Sequence, residues 1–367
     1  MRIAQVAPLC ESVPPKLYGG TERVVSYMTE ELVRLGHDVT LFASGDSETS
    51  AKLVAGCPRA LWRDPSVRET LPHHVRQLEH VFRLAARFDV IHFHGDWMHF
   101  PLLRHHPCAS VTTLHGALHA PDLEPLFEEY PEVPVVSISD SQRHPIPWAN
   151  WQATIHHGLP LDLHTFRPRS DGYLAFLGRT SPEKGLPRAI EVARRTGRRL
   201  LIAAKIYPEE RTYFDETIAP LVRETPGVEF IGEVGGRDKD AFLGGADALL
   251  FPIDWPEPFG LVMIEALACG TPVVAWRNGS VPEVIEDGVT GFVVDDVAQA
   301  VDAVERVATL DRRACRIAFE TRFDAARMTR DYLAVYRRLA REKQPAQALP
   351  HELERRRVAR VALRSRA

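Results

Sequence analysis

The chain has 367 residues, 45% hydrophobic and 26% charged, with a formal charge of −4, so it can bury two cores and has no general attraction for nucleic acid. Its five cysteines (Cys10, Cys57, Cys108, Cys269, Cys315) are scattered, odd in number and lack a CxxC pair, which sets aside a disulfide framework and a zinc ribbon. A strand begins at Arg2 without a signal-peptide core and no apolar run reaches membrane-spanning length, so a reduced cytoplasm is expected, with at most a peripheral membrane contact.

Residues 2–9 (RIAQVAPL) read as a strand, followed by a loop with Pro14, Pro15, Gly19 and Gly20 and an amphipathic helix over 22–35 that stops at Gly36. Asp38–Ser44 is the next strand, giving a βαβ unit with a glycine-bearing loop at the carboxyl end of its first strand. Only Gly19-Gly20 is present and GxGxxG is not, which argues against ordinary dinucleotide binding, although paired glycines let backbone approach a ligand. Apolar strands follow at 89–94, 110–115 and 134–139, completing a first doubly wound domain over 1–165, while the acidic, proline-rich residues 121–134 read as a mobile flap. Residues 154–168 read as the crossing.

A second α/β series over 166–322 starts at Tyr173, with strands at 173–178, 200–206, 228–234, 247–253, 272–276 and Gly291–Val294. Two tandem Rossmann-like domains leave a cleft between the carboxyl ends of their strands. A helix over 323–342, with Met328, Tyr332, Val335, Tyr336 and Leu339 at helical spacing, is expected to pack on a core. In the basic tail, 343–367, the last seventeen residues hold six arginines and two glutamates. It reads as a poorly ordered end or a weak contact with an anionic membrane.

The chemistry centres on residues 254–275 (DWPEPFGLVMIEALACGTPVVA). Pro258 suits a first helical position, Gly270 a helix end and Pro272 forbids continuation, so a helix is expected over 258–269. Its apolar residues occupy every side, so Glu265 lies in an apolar neighbourhood and needs hydrogen-bonding partners. Glu257 stands about 12 Å away along the axis, on the same broad side and nearer the free amides of the helix start. One edge then offers a hydroxyl acceptor, an anion site and a second hydroxyl acceptor, which suits a sugar, a diphosphate and a ribose. A purely structural helix, with Glu257 near its cap and Glu265 in a salt bridge, accounts for this stretch as well. Gly178-Arg179 ends a strand and Lys184-Gly185 opens the next helix, placing a bidentate and a point cation where a diphosphate is welcome. These two cations and the helix amides oppose phosphate charge without an Asp-x-Asp metal motif, and turnover is expected to need no metal.

Along most of its length the sequence resembles the retaining glycosyltransferases of family 4, which have the two-domain GT-B fold and use nucleotide-activated sugars. Gly19-Gly20-Thr21-Glu22 is similar to that family's N-terminal glycine loop beside the donor phosphate and sugar. His115, in TLHG, resembles the histidine that contacts the transferred sugar, although Gly116 follows it where an acidic residue often stands. Arg179 and Lys184 resemble the diphosphate-holding pair. The resemblance implies that Glu257 contacts the transferred sugar, with amides of Pro258, Phe259, Gly260 and Leu261 nearby, and that Glu265 binds the ribose. It also implies catalytic roles for His115 and Glu257, no cofactor beyond a UDP- or GDP-linked hexose as co-substrate, and a final helix that crosses back onto the first domain.

Three other readings compete. A metallohydrolase would use the crowd His92, His94, His99, His115 and His119, since His92-x-His94 shares one strand face. A GT-B epimerase would share the donor site and transfer nothing, and a nucleotide-sugar sensor would only bind.

Overall fold

The computed structural model describes residues 1–342 apart from residue 18, so the basic tail expected at 343–367 lies outside the described residues. β1 (Arg2–Val6), β2 (Asp38–Ser44), β3 (Lys52–Cys57), β4 (Val90–Phe93), β5 (Ser110–Thr113), β6 (Val135–Ser137) and β7 (Trp151–Thr154) form one parallel sheet, in the order β3-β2-β1-β4-β5-β6-β7. β8 (Tyr173–Arg179), β9 (Leu200–Lys205), β10 (Val228–Gly232), β11 (Ala246–Phe251), β12 (Val273–Trp276) and β13 (Gly291–Val294) form the other, in the order β10-β9-β8-β11-β12-β13. Central strands such as LLIAAK and ADALLF are near-continuous apolar runs because helices cover both faces of a parallel sheet. Strand order reverses between β1 and β4 and again between β8 and β11, and ligands bind in the crevices at such points. This is the GT-B architecture of two Rossmann-like domains.

Differences from the sequence reading have identifiable causes. β3 and β7 were not anticipated, because both are edge strands whose half-exposed side chains give no apolar run. The expected flap at 121–134 instead contains a helix, Leu123–Glu129, whose Leu123 and Phe127 are buried with Phe100 and Leu114. Those two apolar residues, four apart, lay hidden among outward-facing acids. The organising helix begins at Leu261 rather than Pro258. Gly260, at φ 75°, sets the entry: a Cβ there would stand 2.9 Å from Met263 and 3.0 Å from Phe251, so only glycine makes this turn. Met263 to Cys269 are all buried, so the helix is covered on both sides.

The last helix, Ala325–Arg341, packs on the first sheet, burying Met328, Tyr332, Leu333 and Tyr336 against Ile3, Val24 and Met28. The chain passes between the sheets twice, and the two passes are stitched by Leu159 N to Phe323 O and Ala325 N to Leu159 O, both 2.9 Å. Beside them Glu283, from the second domain, accepts the backbone N–H groups of Asp140 (2.7 Å) and Ser141 (2.8 Å) and lies 3.0 Å from His156 Nε2.

Candidate active site

A cleft of about 540 Å3 opens between the carboxyl ends of the two sheets. All the residues that the sequence assigned to the transferase site line it: Gly19, Gly20, His115, Arg179, Lys184, Glu257, Pro258, Phe259, Gly260, Leu261 and Glu265. They come from two walls of different character.

The wall of the second domain is ionic and already paired. Arg179, ending β8, donates from Nε to Glu210 Oε1 at 2.8 Å, and Thr180 Oγ1 donates to Glu210 Oε2 at 3.1 Å. Its guanidinium lies 4.9 Å from the Tyr207 ring centre. Lys184 Nζ meets Glu257 Oε2 at 2.5 Å, and that oxygen also accepts Trp255 Nε1 at 2.9 Å. Gly185 makes this approach possible: at φ 70° it is pressed so closely on the loop after β11 that a Cβ would stand 1.9 Å from Pro252 O. Glu265, 4% exposed, is paired with Lys239. Burial pushes its carboxyl up, but the Lys239 charge and the His164 side chain outweigh that and hold it below the usual range. Glu265 therefore has the buried partner that the sequence demanded, and the partner is a lysine of the protein.

The sequence reading missed Lys239, Glu210 and Trp255, and Lys205, which lines the cleft with its Nζ 4.3 Å from the Tyr207 ring centre. Lys239 belongs to Asp238-Lys239-Asp240, so an Asp-x-Asp sequence does occur, contrary to expectation. On the helix Gly236–Gly245 these alternate residues point about 200° apart. Asp240 is occupied by the Thr165 N–H at 2.8 Å and by His164 Nδ1 at 3.2 Å. Among the described residues the grouping with metal-ligand spacing is His164, Asp240 and Cys269. Burial, with Asp240 adding to it, pushes the Cys269 thiol far up, so in the metal-free protein it is a thiol.

The wall of the first domain is built around neutral, hydrogen-bonded imidazoles, with Glu22 and Arg23 beside its glycine loop. Gly20 begins the helix Gly20–Arg34 against the far wall, where Leu261 Cδ1 lies 3.4 Å from the place of a Cβ on Gly20. His115 Nε2 is 3.0 Å from His94 Nδ1, and the His115 ring stacks on His157 at 5.3 Å between centres. Burial pushes His115 and His99 down to about 3 and drives His92, His94 and His157 well below the ordinary value, so these imidazoles are neutral at physiological pH. His92 and His94 share one face, as their spacing predicted, with ring centres 3.9 Å apart. Their nitrogens are taken up by Thr113, Tyr336, Gln5 and His115, and His119 is exposed away from them. Two open sheets and occupied histidines do not make a metallohydrolase centre. Glu22, beside the glycine loop, is raised to about 7 by burial, the Glu11 charge adding to it.

Comparison with known proteins agrees with this geometry. Residues 18–168 match the family described as Glycosyltransferase Family 4, and residues 165–322 match Glycosyl transferases group 1. An uncharacterized glycosyltransferase of Methanocaldococcus jannaschii is 25% identical over 82% of this chain and 88% of its own length. The D-inositol 3-phosphate glycosyltransferase of Mycolicibacterium smegmatis is 31% identical over 43% of this chain and 39% of its own. Among solved structures, AviGT4, a glycosyltransferase involved in avilamycin A biosynthesis, superposes with a TM-score of 0.71 at 25% identity, covering 93% of this chain and 98% of its own. Anabaena HepE, solved in complex with UDP and glucose, gives 0.70 at 19% identity, covering 92% and 100%. The two family matches join end to end across the cleft, and the chain belongs to the family 4 glycosyltransferases of GT-B fold. Among the described residues no helix is long and apolar enough to cross a membrane.

Proposed function

We propose that the protein moves a hexose from a UDP- or GDP-linked sugar to a hydroxyl acceptor, with retention of anomeric configuration and without a divalent metal. The observation that carries this reading is the convergence of Arg179, Lys184 and Glu257 on one wall, opposite His115 and the Gly19-Gly20 loop. The UDP and glucose held by the similarly folded HepE support a nucleotide-sugar donor.

In this reading Arg179 forks onto diphosphate oxygens and Lys184 gives a point charge shared between phosphate and Glu257. Amides at Pro258 to Leu261, Pro258 itself having none to give, lie where charge develops on the leaving diphosphate. Glu257 accepts hydroxyls of the transferred sugar and Glu265 accepts the ribose hydroxyls while remaining paired with Lys239. The bond from the anomeric carbon to the diphosphate breaks, the acceptor oxygen attacks on the same face, and a departing phosphate oxygen takes the acceptor's proton. Glu257 and Glu265 are both held by lysines, which makes them poor nucleophiles for a double displacement.

Early-time NMR of the glycoside tests it. Retained configuration with full turnover after chelation is expected. An inverted product overturns the mechanism and points to Glu22, whose raised carboxyl would then act as general base. Thermal shifts with UDP, GDP, ADP and their glucose and mannose conjugates identify the donor, since a ligand at 100 times its Kd stabilises by about 2.7 kcal/mol.

A further inference from the structure

A continuous string of buried side chains runs from the last helix to the cleft. Tyr332 Oη is 2.9 Å from Thr113 Oγ1, which lies 2.7 Å from His92 Nε2. His92 Nδ1 is 2.6 Å from Tyr336 Oη, which accepts Gln5 Nε2–H at 3.1 Å. Gln5 Oε1 is 2.8 Å from His94 Nε2, and His94 Nδ1 is 3.0 Å from His115 Nε2. Gln5, His92, His94 and Thr113 are each 0–2% exposed, so water does not compete for these bonds.

Gln5 gives the string its direction, because its donor and acceptor are different atoms. A carbonyl oxygen only accepts, so His94 Nε2 carries a proton. His94 is neutral in its dry setting, so its Nδ1 is bare and accepts. His115 Nε2 must then carry the proton, which leaves His115 Nδ1 an unprotonated lone pair. That Nδ1 is buried and has no hydrogen-bond partner among the described residues, and His115 lines the cleft. We propose that Gln5, His94 and Tyr336 are positioning residues that hold His115 in the Nε2–H tautomer, so that its Nδ1 accepts a hydrogen bond from a hydroxyl of the donor sugar. The tautomer assignment stands on the free protein. Only its use on a sugar rests on the transferase reading. Tyr336 brings the last helix into the same device: its hydroxyl holds the Gln5 amide in the orientation that points Oε1 at His94.

The experiment has one arm without substrate and one with it. In the free full-length protein labelled with 15N-histidine, with signals assigned by difference from His115→Ala, the His115 Nδ1 resonance is expected at the unprotonated position and Nε2 at the protonated one. The reverse pattern would mean that the amide and the whole string run the other way, and it overturns the proposal. Gln5→Leu is then expected to leave UDP or GDP affinity unchanged in calorimetry, to mix the His115 tautomers, and to lower kcat about tenfold, the worth of one hydrogen bond. Tyr336→Phe, which keeps the packing, is expected to act in the same direction with a smaller loss. Unaltered kcat and an unaltered tautomer in both variants, with nucleotide still bound, sink the positioning role. If the tautomer is as stated but no donor conjugate is turned over by the wild type, the transferase reading fails and the tautomer assignment stands.

Discussion

The two walls of the cleft manage polarity in opposite ways. The second domain presents Arg179, Lys184 and Lys239, each held by a carboxylate in advance, so that in the proposed function an arriving diphosphate would meet charges whose positions are fixed before binding. The first domain presents the buried His94 and the half-buried His115, both kept neutral, which offer direction without charge, with Glu22 and Arg23 to one side of them. The proposed function accounts for the contrast: charge would serve where a diphosphate leaves, whereas hydroxyls of a neutral sugar would need only correctly turned donors and acceptors.

Perturbing each wall separately tests this contrast, and the largest effect is expected from Lys239→Met. It leaves Glu265 ionised, buried and unpaired, at a cost of about 3–5 kcal/mol. Urea denaturation should show it, with Glu265→Gln in the same chain recovering much of the loss. A midpoint that does not move would mean the pair is not buried as described. Next comes Arg179→Ala, expected to weaken UDP or GDP binding by about 1.5–3 kcal/mol. Arg179→Lys should recover only part, because the fork is lost. Calorimetry decides, and wild-type affinity in the Ala variant removes Arg179 from the site.

The neutral wall makes a prediction about acid. His99 and His115 sit at about 3 in the folded protein, against about 6.5 unfolded. Between those values the unfolded chain binds protons that the native state refuses. The stability contributed is therefore fully present above pH 6.5 and lost as pH falls toward 3, at up to about 1.4 kcal/mol per pH unit for each histidine. His99→Gln should flatten the slope by one group, and an unchanged slope in denaturation between pH 4 and 6 contradicts the assignment. The smallest effect is expected from Glu22→Gln, which should erase an inflection near pH 7 in the turnover profile. The loss in kcat should stay well below the ~100-fold that removal of a general base leaves.

The ionic wall was the more legible in sequence. Arg179, Lys184, Glu257 and Glu265 announced themselves because charged residues at strand ends and within an apolar helix need a local explanation. Their partners did not: Glu210, on a turn 31 residues after Arg179, and Lys239, on a helix 26 residues before Glu265, are gathered only by the fold, while Trp255 lay two residues from Glu257 without a signal that its indole would bind it. The start of the organising helix was misplaced because proline at 258 is permitted as a first helical residue, while the left-handed turn at Gly260 leaves no trace except a glycine. On the neutral wall, alternation in β4 did place His92 and His94 on one face. What those histidines do was hidden, because it depends on Gln5, 89 positions before His94, and on Tyr336, 244 positions after His92. The sheets themselves were legible wherever strands are central, and were not where β3 and β7 run along an edge.

The last helix also has a consequence for how the molecule is made. At 5–20 residues per second, roughly 10–40 s separate synthesis of the end of the first sheet, near Thr154, from that of Tyr336. Throughout that interval the nascent first domain has its strands but lacks the face that covers Ile3, Val24 and Met28, and the Gln5 amide lacks the hydroxyl that orients it. The half of the protein that emerges first is therefore completed last, and a chain stalled before residue 325 leaves the ribosome with a sticky apolar face and its cleft histidines unset.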